Sequence, residues 1–171
     1  MKRSDITDPK KRNRFSSQVV GDTFRSRPWT VNVWETKQYS VADSVGYDMF
    51  VRCVPDFLTP LHLDGEQEII SVQIKSDPKR AGGFVKQYAL EGRFFNTKLK
   101  MHQFILCGMD ERDLILADIV GQMVAHGRIA KIGESEVLDY LERHDSEAVA
   151  SYRRLKVTLI FRWYGHRLPP L

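Results

Sequence analysis

Two kinds of apolar pattern alternate along this chain of 171 residues, and together they restrict the fold to a sheet combined with helices. Runs rich in valine, isoleucine and aromatic residues predict strands, whereas apolar residues three or four apart predict helices. Strands are predicted at residues 29–34, 46–54, 68–75, 104–107 and 155–164. Helices are predicted at residues 11–25, 110–125 and 134–143, with residues 84–95 helical in part and residues 76–83 a loop. This order indicates an α/β fold in which a mixed central β-sheet is flanked by helices.

Length and composition limit the class of protein. Two separate cores would leave fewer than about 90 residues each, so residues 1–10 are assigned to a flexible basic arm and residues 11–171 to a single domain. No run approaches the roughly 18 uncharged apolar residues of a membrane span, and the charged start does not resemble a signal peptide. Cys53 and Cys107 allow at most one disulfide. We therefore expect a cytoplasmic protein with reduced, buried thiols and no membrane contact.

The net charge of +4 is small but unevenly distributed. Residues 1–27 carry eight basic and three acidic side chains, residues 101–150 carry four and ten, and residues 151–171 carry five and none. If the fold brings the two ends together, they would form one surface that faces a polyanion, with the acidic segment on the opposite side. A soluble tail and an ordinary solvated surface explain the same charges equally well.

The segment Ile69–Lys75 combines an apolar face with a polar one. Side chains alternate across a strand, so its isoleucines and valine at even positions face one side, and Ser71, Gln73 and Lys75 face the other. The apolar face is predicted to be core. Pairing with the preceding strand across a hairpin would place Asp48 beside Gln73.

These three functional groups suit phosphodiester chemistry. The Asp48 carboxylate and the Gln73 carbonyl oxygen are hard ligands of the kind that Mg²⁺ prefers. Lys75 would position or help deprotonate the attacking water and offset charge in the transition state. A solvated sheet face explains the same alternation without any site.

Asp48 at the start of one strand, followed by Gln73-Ile74-Lys75 in the next and preceded by an amphipathic helix, resembles the PD-(D/E)XK nuclease superfamily, also called restriction-endonuclease-like. The likeness covers residues 15–107. The superfamily usually has an acid where Gln73 stands, and the Gln-x-Lys form is similar to that of some homing endonucleases. The resemblance implies a restriction-endonuclease-like fold and a Mg²⁺-dependent DNA endonuclease, with Mn²⁺ as a substitute cofactor. It assigns Asp48 and Gln73 to the metal and Lys75 to catalysis.

The first helix departs from the pattern of the superfamily. Many members use a Glu of this helix to hold the metal or orient the water, and no Glu occurs here. The resemblance assigns that catalytic position to Gln18, with Asp22, one turn later, as the alternative. With Gln18 in place, metal affinity would be weak or depend on bound phosphate. The missing Glu favours a competing interpretation, a catalytically inactive nucleic-acid-binding or assembly module of the same fold.

Contacts with DNA are expected from both chain ends and from a basic, glycine-containing loop, because backbone amides and cations bind phosphate. The candidate nucleic-acid-binding residues are Lys11, Arg12, Arg14, Lys79, Arg80 and Lys86. A simple exposed turn explains the loop as well. A single domain of this size seldom cuts both strands of a duplex, so a homo-oligomer is expected. The scattered histidines and the absence of a Gly-x-Ser-x-Gly motif argue against a zinc site and acyl transfer.

Overall fold

A computed structural model describes residues 2, 5–36, 48–63, 68–75, 95–96, 101–107 and 111–164. The strands are β1 Thr30–Glu35, β2 Met49–Cys53, β3 Ile69–Lys75, β4 Phe95–Asn96 and β5 Met101–Cys107. The helices are α1 Pro9–Arg25, α2 Arg112–Ile129, α3 Glu134–His144 and α4 Ser146–Tyr164. A single turn of 3₁₀ helix, Thr59–Leu61, lies between β2 and β3.

The sheet is mixed, as predicted. Its strand order is β1-β2-β3-β5-β4, with β1, β2 and β3 antiparallel, β5 parallel to β3, and the two-residue β4 antiparallel to β5. Helices flank this sheet, which confirms the predicted α/β fold class. The pairing of β2 with β3 also confirms the predicted hairpin with an irregular connection.

Helix α1 begins slightly earlier than predicted because two residues before it favour a helix start. Asp8 is the N-cap and accepts a hydrogen bond from the Lys10 amide at 2.9 Å, and Pro9 is the first helical residue. Pro9 and Lys10, which the sequence assigns to the arm, therefore belong to α1. Val20 and Phe24 point from this helix into the core.

Helix α2 is the central helix, buried on almost all sides and packed against α1, α3, α4 and β5. The predicted end at residue 125 is too early because Gly127 does not stop the helix. A Cβ atom at this position would lie 2.7 Å from Val137 Cγ2, so glycine permits the close approach of α3. The helix ends at Ile129, and Lys131 then turns the chain with a φ of 63°.

The predicted strand at residues 155–164 is wrong, because Ser146–Tyr164 forms one helix. Asp145 accepts a hydrogen bond from the Ala148 amide at 3.2 Å, which caps this helix. Ala148 and Tyr152 are buried, and α4 packs along α2. Extending a helix costs far less than starting one, so the local strand preference of the last ten residues does not prevail.

One hydrophobic core joins the apolar face of the sheet to the helices. Trp29 stacks on Phe57 with ring centroids 4.9 Å apart, and Phe24 meets Trp29 edge to face. Cys53 is a free thiol and is buried, as expected from the sequence. Burial raises the pKa of this thiol. The Cys107 side chain and the predicted loop and partial helix of residues 76–94 lie outside the described residues. No helix in the described part is long and apolar enough to cross a membrane.

Candidate functional site

The β2–β3 pairing brings Asp48 next to Gln73. Met49 is the partner of Val72, so the residue before Met49 comes opposite the residue after Val72. The Asp48 amide donates a hydrogen bond to the Val72 carbonyl oxygen at 2.9 Å. In return, the Ile74 amide donates to Asp48 Oδ2 at 2.6 Å. The carboxylate is thus bound to the stretch of β3 that carries both other candidate residues.

The polar face of β3 is buried. Ser71 is 0% exposed and Gln73 is 7% exposed, so this side is not the solvated surface that would explain the alternation without a site. The Ser71 hydroxyl donates to the His102 carbonyl oxygen at 3.2 Å. The Gln73 side-chain amide makes no hydrogen bond to another described residue. The amide is not among the described side-chain polar groups that are fully buried without a partner, so it stays accessible to water or to a ligand.

Lys75 lies two residues beyond Gln73, on the same face and at the end of β3. Its side chain is half-buried. Cα atoms two residues apart along a strand are separated by about 7 Å. Asp48, Gln73 and Lys75 therefore occupy one end of two neighbouring strands.

The first-helix candidates are not joined to this group by any hydrogen bond among the described residues. Gln18 is exposed and lies two residues beyond the buried Ser16, about 200° around the helix. It lines an open groove of about 440 Å³ between α1 and the preceding segment. Asp22 accepts a hydrogen bond from Arg25 at 2.8 Å, and its side chain is 63% exposed.

The same groove holds two of the predicted phosphate contacts. Lys11 and Arg14 line it, together with the acidic Asp5 and Asp8. Arg12 instead donates two hydrogen bonds, of 2.8 and 2.9 Å, to the Ile6 carbonyl oxygen. Lys79, Arg80 and Lys86 lie outside the described residues.

The expectation that the C-terminal bases and the acidic segment lie on opposite sides is wrong for the residues that the structure describes. Three bases of α4 form ion pairs with acids of residues 101–150: Arg153 with Glu142 at 3.1 Å, Arg154 with Asp113 at 2.9 Å, and Lys156 with Glu134. The packing of α4 against α2 and α3 creates these pairs. This part of α4 therefore partly neutralises the acidic segment and presents no free basic stripe.

Arg27, counted with the N-terminal basic residues in the sequence, is instead a core residue. Its side chain is 1% exposed and its guanidinium donates to Asp145 Oδ1 at 2.9 Å, while the Trp29 indole donates to Asp145 Oδ2 at 2.9 Å. Arg27 also donates to Glu147 at 3.0 Å, and this hydrogen bond lowers the pKa of that carboxyl. No sequence pattern links residues this far apart, so sequence reasoning missed the network.

Two polar side chains of α2 bind the β5 backbone, and neither stood out in the sequence as part of such a contact. Gln122 accepts a hydrogen bond from the Ile105 amide at 3.2 Å. His126 Nε2 lies 3.1 Å from the Gln103 carbonyl oxygen, so the neutral ring donates there. Burial, with a smaller effect of His102, lowers the pKa of His126 to about 3. These contacts attach the central helix to the sheet.

The donors available to a cation at the candidate site are few. In the described part of the chain, no group of three or more His, Cys, Asp or Glu side chains could hold a metal ion. Asp48 and Gln73 together offer one carboxylate and one amide oxygen. Mg²⁺ commonly binds to only one or two carboxylates and fills its other positions with water and phosphate oxygens, so this pair fits such an ion.

No protein-family model matches the sequence, and comparisons with curated proteins and with solved structures find no match.

Proposed function

We propose that the chain is a metal-dependent DNA endonuclease that hydrolyses phosphodiester bonds at Asp48, Gln73 and Lys75. The observation that carries this proposal is the hydrogen bond from the Ile74 amide to the Asp48 carboxylate, which fixes the acid between the other two residues. The described order of one helix, three antiparallel strands, two further strands and three helices supports the restriction-endonuclease-like fold that we include in the proposal.

In the proposed site, Asp48 and Gln73 would hold Mg²⁺, or Mn²⁺ in its place. The ion, when bound, would polarise the phosphoryl oxygen and activate the attacking water. Gln73 supports this role because its side chain lies on the same face as Lys75 and its amide is not a fully buried, unsatisfied group, so it stays accessible to a ligand. With one formal negative charge between the two residues, affinity would depend strongly on the phosphate of the substrate.

Lys75 has a separate role in the proposal. Hydrolysis forms a bond from the water oxygen to phosphorus and breaks the bond from phosphorus to the leaving sugar oxygen. The Lys75 ammonium, half-buried at the end of β3, would stabilise the negative charge that grows on the phosphoryl oxygens. Partial burial strengthens this effect because water screens the charge less.

Affinity for DNA would come from the exposed bases of α1. Lys11 and Arg14 line the groove beside this helix and make no ion pair with other described residues. Contacts of this kind hold phosphates without reading sequence. Cutting both strands of a duplex would require two sites, so we include a homo-oligomer in the proposal.

The inactive module remains the second candidate, and α1 supplies the observation that favours it. Gln18 is exposed and the Asp22 carboxylate is bound to Arg25, so neither is in hydrogen-bond contact with Asp48 in the described residues. Such a protein would bind nucleic acid or assemble with a partner without cutting.

A cleavage panel separates these two functions. The wild-type protein and Lys75→Ala are incubated with supercoiled, linear and branched DNA and with RNA, in the presence of Mg²⁺, Mn²⁺ or EDTA. Lys131→Ala is the matched control, because this exposed lysine lies between α2 and α3. We expect metal-dependent cleavage of DNA by the wild type and the control, and at least about 100-fold slower cleavage by Lys75→Ala. Cleavage that is absent throughout, or unchanged in Lys75→Ala, contradicts the nuclease.

A further inference from the structure

Trp34 is a large aromatic residue that remains exposed on the folded protein. It lies near the end of β1, at the edge of the sheet, and 42% of its surface is accessible. Its neighbour Val33 points into the core with 7% exposure, so Trp34 faces the other side of the sheet. In the described residues no ring stacks on the indole and no group forms a hydrogen bond with it.

The register places Trp34 on the same sheet face as the candidate site. Trp34 pairs with Phe50, and Phe50 pairs with Ser71, so all three side chains share one face. Gln73 and Lys75 follow Ser71 on this face at intervals of two residues. We call it the site face.

An exposed arginine accompanies the aromatic pair. Arg52 is exposed on the site face, two residues beyond Phe50, and its register partner is Asn32. Diagonal neighbours in an antiparallel pair lie about 7–8 Å apart, within reach of a long side chain, so Arg52 and Trp34 can act on one ligand. Arg52 forms no ion pair with another described residue.

We propose that Trp34, with Phe50 and Arg52, forms a stacking platform for an unpaired nucleic-acid base. An exposed indole beside a cation matches the chemistry of single-stranded nucleic acid, in which the base stacks on the ring and the phosphate meets the charge. A base in an intact duplex is already stacked on its neighbours and does not present its ring plane. The platform therefore selects single-stranded or frayed DNA over duplex.

The edge position of β1 allows one other occupant, a second copy of the chain that pairs strand to strand. Two features oppose it. The β1–β2 register shifts between Thr30 and Asn32, and such irregularities disrupt the straight edge that pairing needs. The apolar surface on this face is also interrupted by the exposed, cationic Arg52.

The platform bears on the substrate of the proposed nuclease. Trp34 pairs with Phe50, which lies two residues after Asp48 on the neighbouring strand. Ideal sheet spacings therefore separate the Cα atoms of Trp34 and Asp48 by about 8 Å. A base on Trp34 would bring a neighbouring phosphate towards the candidate site. The inference about the nuclease substrate rests on the proposed function, whereas the inference that a base binds to Trp34 does not. Binding and cleavage are therefore measured separately.

The test measures binding without cleavage. Fluorescein-labelled single-stranded and duplex oligonucleotides of equal length are titrated with full-length protein in EDTA, and affinity is read by fluorescence anisotropy. The variants are Trp34→Ala, Trp34→Phe and Arg52→Ala. The matched control is Val31→Ala, which alters an exposed apolar residue of the same strand. The oligomeric state of each variant is measured by light scattering.

We expect Trp34→Ala to weaken single-strand binding about tenfold, as loss of one stacked base does. Trp34→Phe should keep most of the affinity, Arg52→Ala should weaken binding and reduce its salt dependence, and duplex binding should change little. The platform is refuted if single strands do not bind, or if Trp34→Ala binds them as tightly as Val31→Ala. A change of oligomeric state in Trp34→Ala with unchanged binding assigns the edge to a second copy instead. If the protein cuts DNA but Trp34→Ala binds single strands as the wild type does, the platform is refuted and the nuclease proposal still stands.

Discussion

The Asp48 carboxylate accepts a hydrogen bond from the main-chain amide of Ile74 at 2.6 Å. This contact joins the start of β2 to the last residues of β3. Because the donor belongs to the backbone, it does not depend on which side chains flank Ile74. The acid is held in place by the protein itself, which would reduce the cost of organising the proposed site.

Substitution of Asp48 tests this contact in the folded protein. Asp48→Asn keeps an oxygen acceptor for the Ile74 amide, so we expect its free energy of unfolding to fall by less than about 1 kcal/mol. Asp48→Ala removes the acceptor and should cost about 1–2 kcal/mol. Urea unfolding followed by circular dichroism measures both. Equal stability of Asp48→Ala and the wild type would show that the hydrogen bond contributes nothing in solution.

We expect the buried ion pair of Arg27 and Asp145 to contribute more to the free energy of unfolding than the Asp48 hydrogen bond does. Asp145→Asn leaves a buried guanidinium without its closest counter-charge, and we expect a loss of about 3–5 kcal/mol in the free energy of unfolding. Arg153→Ala is the control, because it removes an exposed ion pair and should cost less than about 1 kcal/mol. Thermal unfolding of the two variants provides the comparison. Similar losses in both would contradict the burial of Arg27.

His126 predicts a pH dependence of stability. Its pKa is about 3 in the folded protein and is near 6.5 when the chain is unfolded. Between these values the unfolded state binds the extra proton, so stability is fully present above pH 6.5 and decreases as the pH falls towards 3. The slope approaches about 1.4 kcal/mol per pH unit for one proton.

The variant His126→Gln isolates this contribution. Glutamine cannot titrate, so its stability should decline less steeply than that of the wild type between pH 6.5 and pH 4, although it is lower at neutral pH because the packing changes. Urea midpoints at half-unit pH intervals give the two slopes. Parallel slopes would mean that His126 is accessible to protons in the folded state.

Two glycines of α2 give opposite predictions. Gly127→Ala would place a Cβ 2.7 Å from Val137 Cγ2, and we expect a loss of about 1–3 kcal/mol. Gly121→Ala would place a Cβ 3.5 Å from the Tyr152 ring, an ordinary contact, so the higher helix propensity of alanine should add up to about 1 kcal/mol. Thermal midpoints distinguish the two, and a stabilised Gly127→Ala would contradict the close approach of α3.

The sequence predicted the structure correctly where a local pattern also determines which strand lies next to which. The alternation around Gln73 and the turn residues before it were sufficient to predict the hairpin and the position of Asp48. The same reasoning could not show that Gln73 is buried, because burial of the polar face depends on elements distant in the chain.

The C-terminal segment shows the opposite case. Residues 155–164 are rich in strand-forming side chains, but they continue a helix that starts at Ser146, is capped by Asp145 and packs on α2. The ion pairs of Arg153 and Arg154 arise from that packing and are invisible in the charge distribution along the chain. Tertiary contacts, rather than local preference, decided both outcomes.

Nicking of supercoiled plasmid shows whether Asp48 belongs to a metal-dependent active site. Wild type, Asp48→Asn and Lys131→Ala are purified in parallel and compared in Mg²⁺ and in EDTA. We expect the wild type and Lys131→Ala to nick the plasmid only with Mg²⁺, and Asp48→Asn, although folded, to be at least about 100-fold slower. Nicking by Asp48→Asn at the wild-type rate, or no nicking by the wild type in Mg²⁺ or Mn²⁺, would contradict a nuclease site at Asp48.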